Sequence, residues 1–343
     1  MSQTLDKQAP KRLCEHDVEG NVMTQDVIVV FGGSGFVGRY VVRALAKAGK
    51  RVRVAMRRPH LGQDLRVMGD VGQIQLVQAN VRNGDSIARA LEGATGVINL
   101  VGILFESGKQ TFEATQMAGA SLVASQSAKA GIRRYVHVSA IGADRNSPSK
   151  YGRTKGQAEQ AVLAAIPSAT IMRPSIIFGA EDNFYNQFAA MAKMSPALPL
   201  IGGGKTRFQP AYVGDVAEAI VKGLDTGGGT YELGGPNIYS FKEILSYILE
   251  QIERHRFLAP LPFFIAQPLG AVLNTIFKFY PFGGPPLTDD QVIMLKTDNV
   301  VSAGARTFAD LGMHELETVE AIVPTYLYRF KPYGQFQAKH KPV

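Results

Sequence analysis

Short apolar runs rich in β-branched residues alternate along the chain with stretches of helical period. Val27 to Phe31 is such a run, and Val37, Val41, Val42 and Leu45 follow at helical spacing until Gly49. Lys50 to Met56, Ile74 to Gln78, Gly96 to Gly102 and Arg134 to Ser139 read as further strands. Between them lie a capped helix from Asp85 through Leu91, a long helical pattern from Phe112 to Ala130 closed by Gly131, and a helix from Tyr151 to Ala165. Runs buried on both faces and separated by helices predict an α/β fold with a doubly wound parallel sheet. Ligands of such a sheet sit at the carboxyl ends of its strands. Beyond Gly179 the alternation loosens, so 180–330 is expected to form a smaller, irregular α/β domain. Segment 205–235 is a further source of strands for the first domain, 26–179. Ser240, with Glu243 three residues on, predicts a capping box opening a helix to about Glu253. Leu200 to Lys205 has glycines but not the spacing of a phosphate loop, and reads as a hairpin or loop.

The first strand–helix junction carries Gly32, Gly35 and Gly38 at three-residue spacing. Gly32 suits a sharp turn off the strand, Gly35 a close approach of pyrophosphate to backbone, and Gly38 close packing of the helix. The free N–H groups and dipole of the helix start then favour the phosphates. With a strand before, a helix behind and a second strand following, the context is that of a Rossmann-type dinucleotide site; the plainer reading is a turn that serves packing alone. An NAD site would place a carboxylate at the end of the second strand. Arg57 and Arg58 stand there instead, which points to NADP(H), with one of the two guanidinium groups on the 2′-phosphate. Asn80 and Val81, at the end of the third strand, could bond the adenine edge and pack on its face. Ser139 ends the fifth strand, and Tyr151 and Lys155 share one helix face at i, i+4. An ammonium beside a phenol would lower the phenol's pKa, making Tyr151 a candidate acid or base, Lys155 its modifier and Ser139 a carbonyl clamp.

Taken together, Gly32-x-x-Gly35-x-x-Gly38, Asn80-Val81, Ser139 and Tyr151-x-x-x-Lys155 resemble the extended and atypical short-chain dehydrogenase/reductases. Ile171-Met172-Arg173-Pro174-Ser175-Ile176-Ile177-Phe178-Gly179 is similar to that family's sixth-strand signature, and Gln209 to Ala217 to its later segment leading into a helix. More narrowly, Phe31 to Val42, Met68 to Gln73, Val97 to Gly102 and Phe178 to Phe184 resemble the NADPH-binding accessory subunits of respiratory complex I. The resemblance implies a tightly held NADPH with a structural role, near the junction of the peripheral and membrane arms. It also implies cofactor contacts from Gly32, Ser34, Gly35, Phe36, Val37, Gly38, Leu100, Val101, Gly102, Tyr151, Lys155, Pro174, Ser175 and Ile176. The family's usual Asp is Asn here at position 80. The segment between Ser139 and Tyr151 is short, which leaves little chain for a substrate pocket and turns the expectation away from turnover. The alternatives are an NADP-dependent reductase of a carbonyl or quinone, using Ser139, Tyr151 and Lys155, and a sensor of the NADPH/NADP ratio.

Composition narrows this in a few places. With 343 residues, 45% hydrophobic, the core can be ample. The single cysteine, Cys14, excludes an internal disulfide and cannot build a zinc site, and no histidine has metal-ligand spacing, so no metal is expected. Residues 1–25 are polar, with Asp6, Glu15, Asp17 and Glu19, and read as a flexible arm that is neither signal nor transit peptide. This leads to the expectation of a protein on the cytoplasmic face of a bacterial inner membrane. The formal charge of +8 suits an anionic surface, but no nucleic-acid motif is present. Phe257 to Phe277 carries no charge and is bounded by Arg256 and Lys278. Pro260, Pro262 and Pro268 argue against a membrane span. A buried segment, or a contact with the membrane surface or a membrane-arm subunit, remains, and the basic tail 331–343 (Lys331, Lys339, Lys341) would suit the same anionic surface.

Overall fold

The computed structural model describes residues 26–277 and 287–334, with the backbone alone for 273–277. The expected arm 1–25, Lys278 and the tail residues Lys339 and Lys341 lie outside the described residues.

Strand β1 (Val27–Phe31) leads through the glycine turn into α1 (Phe36–Lys47) and β2 (Arg51–Met56). Then come β3 (Ile74–Gln78), α2 (Gly84–Leu91), β4 (Gly96–Asn99), α3 (Ala118–Lys129), β5 (Arg134–Val138), α4 (Lys150–Ala165) and β6 (Thr170–Pro174). The remainder comprises β7 (Ile177–Phe178), α5 (Tyr185–Met194), β8 (Ala197–Ile201), β9 (Arg207–Phe208), β10 (Ala211–Tyr212), α6 (Val213–Lys222), β11 (Gly229–Leu233), β12 (Tyr239–Ser240), α7 (Phe241–Gln251), β13 (Phe257–Leu261), α8 (Phe263–Phe277), α9 (Asp289–Met294), α10 (Val319–Ile322) and α11 (Pro324–Leu327). Seven strands make one parallel sheet in the order β11-β6-β5-β4-β1-β2-β3. The chain reverses direction across the sheet between β1 and β4, so the switch point lies at the glycine turn.

Period-two alternation divides the strand side chains between two cores. Ile28, Val30, Val52, Val54 and Ile98 face α1 and α6, while Val29, Phe31, Val97 and Tyr135 face α2, α3 and α4. This explains why β1 reads as a continuous apolar run: neither face meets water. A third core lies beyond the sheet, where Phe178, Tyr185, Phe208, Phe241, Ile248 and Tyr326 pack together. Strand β11 joins the edge beside β6, so the 205–235 region does supply a strand.

Several boundaries differ from the sequence expectation. The strand expected to end at Gly102 ends at Asn99, although Leu100 N–H still donates to Phe31 O at 2.9 Å. The sixth strand does not run to Gly179. It breaks after Pro174, because the Asn299 side chain takes the Ile176 N–H, and β7 turns off to pair with β10. The cap of α2 is Asn83, whose side chain accepts from Ser86 N–H, rather than the Asp85 end of that segment. The Ser240–Glu243 capping box is present at α7. The glycines after β8 form a 3-10 turn in which Gly202, Gly203 and Gly204 are all left-handed.

Segment 257–277 is two elements. β13 pairs in parallel with β8, and α8 follows with Pro268 inside it. Among the described residues no helix is long and apolar enough to cross a membrane. Ala266 is buried, but Phe257, Phe264, Ile265, Leu269 and Val272 present large apolar surfaces to solvent. The segment is thus neither a span nor wholly interior.

Candidate functional site

The glycine turn is shaped by three different steric demands. Gly32 takes φ +81°, and a Cβ there would press on Leu100 and Val101 backbone at 3.2 Å. Gly35 is the N-cap of α1 with no side-chain cap, so the first N–H groups of the helix keep no such partner. A Cβ on the exposed Gly35 would meet only Gly32 O, at 3.4 Å, so that side stays open. Gly38 packs on the turn itself: its Cβ would lie 2.6 Å from Gly33 Cα and closer still to Gly32 O. The sequence reading assigned Gly38 to packing on the sheet; the surface it meets is the glycine turn. Gly33 was missed, although a Cβ there would strike Val54 at 2.9 Å. Ser34, Phe36 and Val37 are partly exposed at the helix start, and Phe36 stacks edge-on against Tyr40. An uncapped helix start beside an open glycine is a fit for a pyrophosphate.

Beyond the ends of β2 and β3 a cavity of about 370 Å³ is lined by Arg57, Gln78, Ala79, Asn80, Asn83, Ser86 and Arg89. Arg57 lines it and Arg58 does not, while Arg89 was not singled out in the sequence because it lies on α2, far along the chain. The Asn80 side-chain oxygen is already engaged, accepting from Arg82 N–H at 3.1 Å. Its acceptor is therefore shared with the chain's own turn rather than held free for adenine. Val81 packs toward Gly119 of α3.

At the other end of the groove, β4, β5 and α4 bring Gly102, Ser139, Tyr151 and Lys155 together. Lys155 is buried and donates to Val138 O at 3.0 Å. A Cβ on the exposed Gly102 would lie 3.4 Å from its Nζ, in ordinary contact. Leu100 and Val101 lie half-buried beside it. Burial pulls the Lys155 pKa down to about 8, with Glu159 opposing. Tyr151 behaves contrary to expectation. Burial, helped by the Asp290 carboxylate, pushes its pKa up to about 12. The reason is geometric: the Lys155 amine lies 6.0 Å from the centre of the Tyr151 ring and spends its bond on Val138.

Ser139 is buried and its hydroxyl has no partner among the described residues; the same holds for Asn99 Nδ2, both amide atoms of Gln116 and both ring nitrogens of His137. Asn99 and His137 are register partners on β4 and β5. Gln116 lies in a π-helical turn, Glu113–Met117, that leads into α3. None of these except Ser139 was read as a site residue, because each belongs to an element whose face only the sheet order reveals. Pro174 and Ile176 flank Ser175, which is buried. Its hydroxyl lies 2.6 Å from Asn299 Oδ1 and 3.0 Å from Asn299 O. The Ser175 hydroxyl is thus engaged by the chain's own Asn299.

The start of α4 is held from outside. Asp290, on α9, accepts from Lys150 N–H at 2.6 Å, Tyr151 N–H at 3.0 Å and the Ser149 hydroxyl at 2.9 Å. A carboxylate at a helix N-terminus satisfies orphan donors and the dipole together. Asp290→Ala is expected to lower stability by about 1–2 kcal/mol. It should also speed hydrogen exchange at the Lys150 and Tyr151 amides, checked by exchange mass spectrometry at peptide resolution. Among the described residues no cluster of His, Cys, Asp and Glu is arranged to hold a metal.

Comparison with known proteins places this geometry among relatives. Residues 28–234 match the NAD dependent epimerase/dehydratase family. The chain is 41% identical over 302 residues to the NADH dehydrogenase [ubiquinone] 1 alpha subcomplex subunit 9, mitochondrial, of Arabidopsis thaliana, covering 85% of this chain and 75% of that protein. It is 36% identical over 313 residues to the Mus musculus protein of the same name, covering 89% and 81%. Among solved structures, dTDP-glucose 4,6-dehydratase from Bacillus anthracis in complex with NAD superposes with a TM-score of 0.65 at 16% identity, covering 88% of this chain and 95% of that one. That last likeness shows the fold.

Proposed function

The chain belongs to the NAD-dependent epimerase/dehydratase family and, within it, to the alpha subcomplex subunit 9 proteins, and from that membership we propose that it is an accessory subunit of the NADH:ubiquinone oxidoreductase, holding NADP(H) in a structural role. One observation supports the structural role: the start of α1 at Gly35 is uncapped and open, which fits a bound pyrophosphate. Burial and the Asp290 carboxylate push the Tyr151 pKa up to about 12, which makes it a weaker acid near neutral pH than the sequence pattern implies. Other subunits of the complex are its partners. The exposed apolar face of β13 and α8 is the surface we assign to the membrane or to a membrane-arm subunit. The protein is peripheral in this reading, and its seat is the cytoplasmic face of a bacterial inner membrane; both named relatives are mitochondrial.

The test is to purify the protein from native membranes in mild detergent and identify the co-purifying chains and the extracted nucleotide. Complex I subunits with stoichiometric, slowly exchanging NADPH are expected. A free protein without those subunits would sink the reading.

A second reading is favoured by the convergence of Ser139, Tyr151 and Lys155 at one strand end, with Lys155 drawn down to about 8. In an NADP-dependent reductase, Tyr151 would give its hydroxyl proton to a carbonyl oxygen held by Ser139. The two readings separate on Tyr151→Phe. The structural role predicts NADPH affinity within about threefold of wild type and unchanged assembly, since one hydroxyl is lost from a group that need not titrate. A reductase would lose its steady-state NADPH oxidation.

A further inference from the structure

The cavity beyond the ends of β2 and β3 has an unusual balance of hydrogen-bonding groups. Asn80 Oδ1 accepts from Arg82 N–H at 3.1 Å, and Asn83 Oδ1 accepts from Ser86 N–H at 2.8 Å. The Ser86 hydroxyl is used up between Asn80 N–H, Asn80 O and Asn83 O. The two asparagine amide NH₂ groups remain uncommitted donors for the cavity, while each carbonyl oxygen is half used. Arg57 and Arg89 add two guanidinium groups, neither in an ion pair among the described residues. Gln78 adds a neutral amide, and no carboxylate lines the space. Both arginines are exposed at the cavity and so are free to close on an anion within it. A dianion between them gains charge-assisted bonds from both.

We propose that Arg57 and Arg89 together clamp a monoester phosphate in this cavity, the 2′-phosphate of NADP(H), and that Arg89, not Arg58, is the second determinant selecting it over NAD(H). The inference rests on the dinucleotide reading of the groove and deepens it. β2 ends at Met56 and delivers Arg57 to the cavity; α2, which follows β3, delivers Arg89 from its last turn. The two arginines come from elements on either side of β3, 32 residues apart in sequence (89 minus 57). Arg58 precedes a 3-10 segment beginning at Pro59 and is absent from the lining. The competing role for Arg89 is a cation that complements the C-terminal dipole of α2. That role would affect stability alike with any nucleotide.

The full-length protein contains no tryptophan, so nicotinamide emission reports binding of NADPH and NADH without indole background. Arg89→Gln and Arg57→Gln are each expected to weaken NADPH by roughly 10- to 100-fold while changing NADH by less than about threefold. Arg58→Gln should change neither. Arg89→Lys should fall between, since an ammonium keeps the charge without the planar fork. The salt dependence of NADPH binding should flatten in both glutamine variants. Equal losses for NADPH and NADH in Arg89→Gln, with lowered apo thermal stability, would show the helix-dipole role and overturn the proposal. So would an unchanged NADPH affinity. Wild-type protein that binds neither nucleotide would overturn the dinucleotide reading and the clamp with it, an outcome distinct from NADPH binding that ignores Arg89.

Discussion

Replacing Gly38 by alanine is expected to cost at least about 3 kcal/mol and to abolish nucleotide binding together with it. The added methyl has no space. It would fall 2.6 Å from Gly33 Cα and 2.7 Å from Gly33 C, and nearer still to Gly32 O. Those are backbone atoms of a turn that is itself fixed: Gly32 is held in left-handed φ under Leu100 and Val101, and Gly33 is wedged against Val54, Val30 and Val42. Neither side can yield, so α1 must lift off, and with it the Val41, Val42 and Leu45 face that packs on β1 and β2. Urea denaturation of wild type and Gly38→Ala measures the effect. Gly49→Ala is the control, since nothing lies within 4 Å of its Cβ position; there the cost comes only from the φ of +72°. If Gly38→Ala were no worse than Gly49→Ala, the packing account of this glycine would be wrong.

The second large effect is on pH. His137 is buried in β5 with both ring nitrogens unpartnered, and burial, reinforced by the Lys155 charge, drops its pKa to about 3. The unfolded chain titrates this ring at the ordinary value near 6.5. The folded pKa is thus depressed for a base, so the unfolded state binds the proton more readily. Stability is full above about pH 6.5 and is lost as pH falls toward 3, at about 1.4 kcal/mol per pH unit. From this group alone, about 2 kcal/mol should be gone by pH 5. His137→Phe should flatten the stability profile between pH 6.5 and 4, and urea midpoints across that range check it. A profile equally steep in the variant would exclude His137 as the cause. Lys155 acts in the opposite range. Its amine is drawn down to about 8, so the folded protein gains stability as pH rises from 8 toward 10.5.

The chain's own hydrophobic pattern determined the doubly wound sheet. Runs such as Val27 to Phe31, apolar on both faces, have no other stable home than between two helical layers, and glycines at Gly32, Gly35 and Gly38 mark the one junction where the chain turns tightest. Ser139, Tyr151 and Lys155 were legible for the same reason, since a strand end and an i, i+4 spacing are local facts. What the tertiary structure decided was everything that depends on a neighbour distant in sequence. The Tyr151 pKa moves up rather than down because its surroundings are the burial of α4 and a carboxylate from Asp290, 139 residues away. Asn299 reaches back across 124 residues to bond the Ser175 hydroxyl. Arg89 shares a cavity with Arg57 only because β3 places α2 beside the end of β2. Local propensity and burial are written in adjacent residues. Electrostatics and hydrogen-bond partnership depend on distances that exist only once the sheet order and the C-terminal crossings have formed.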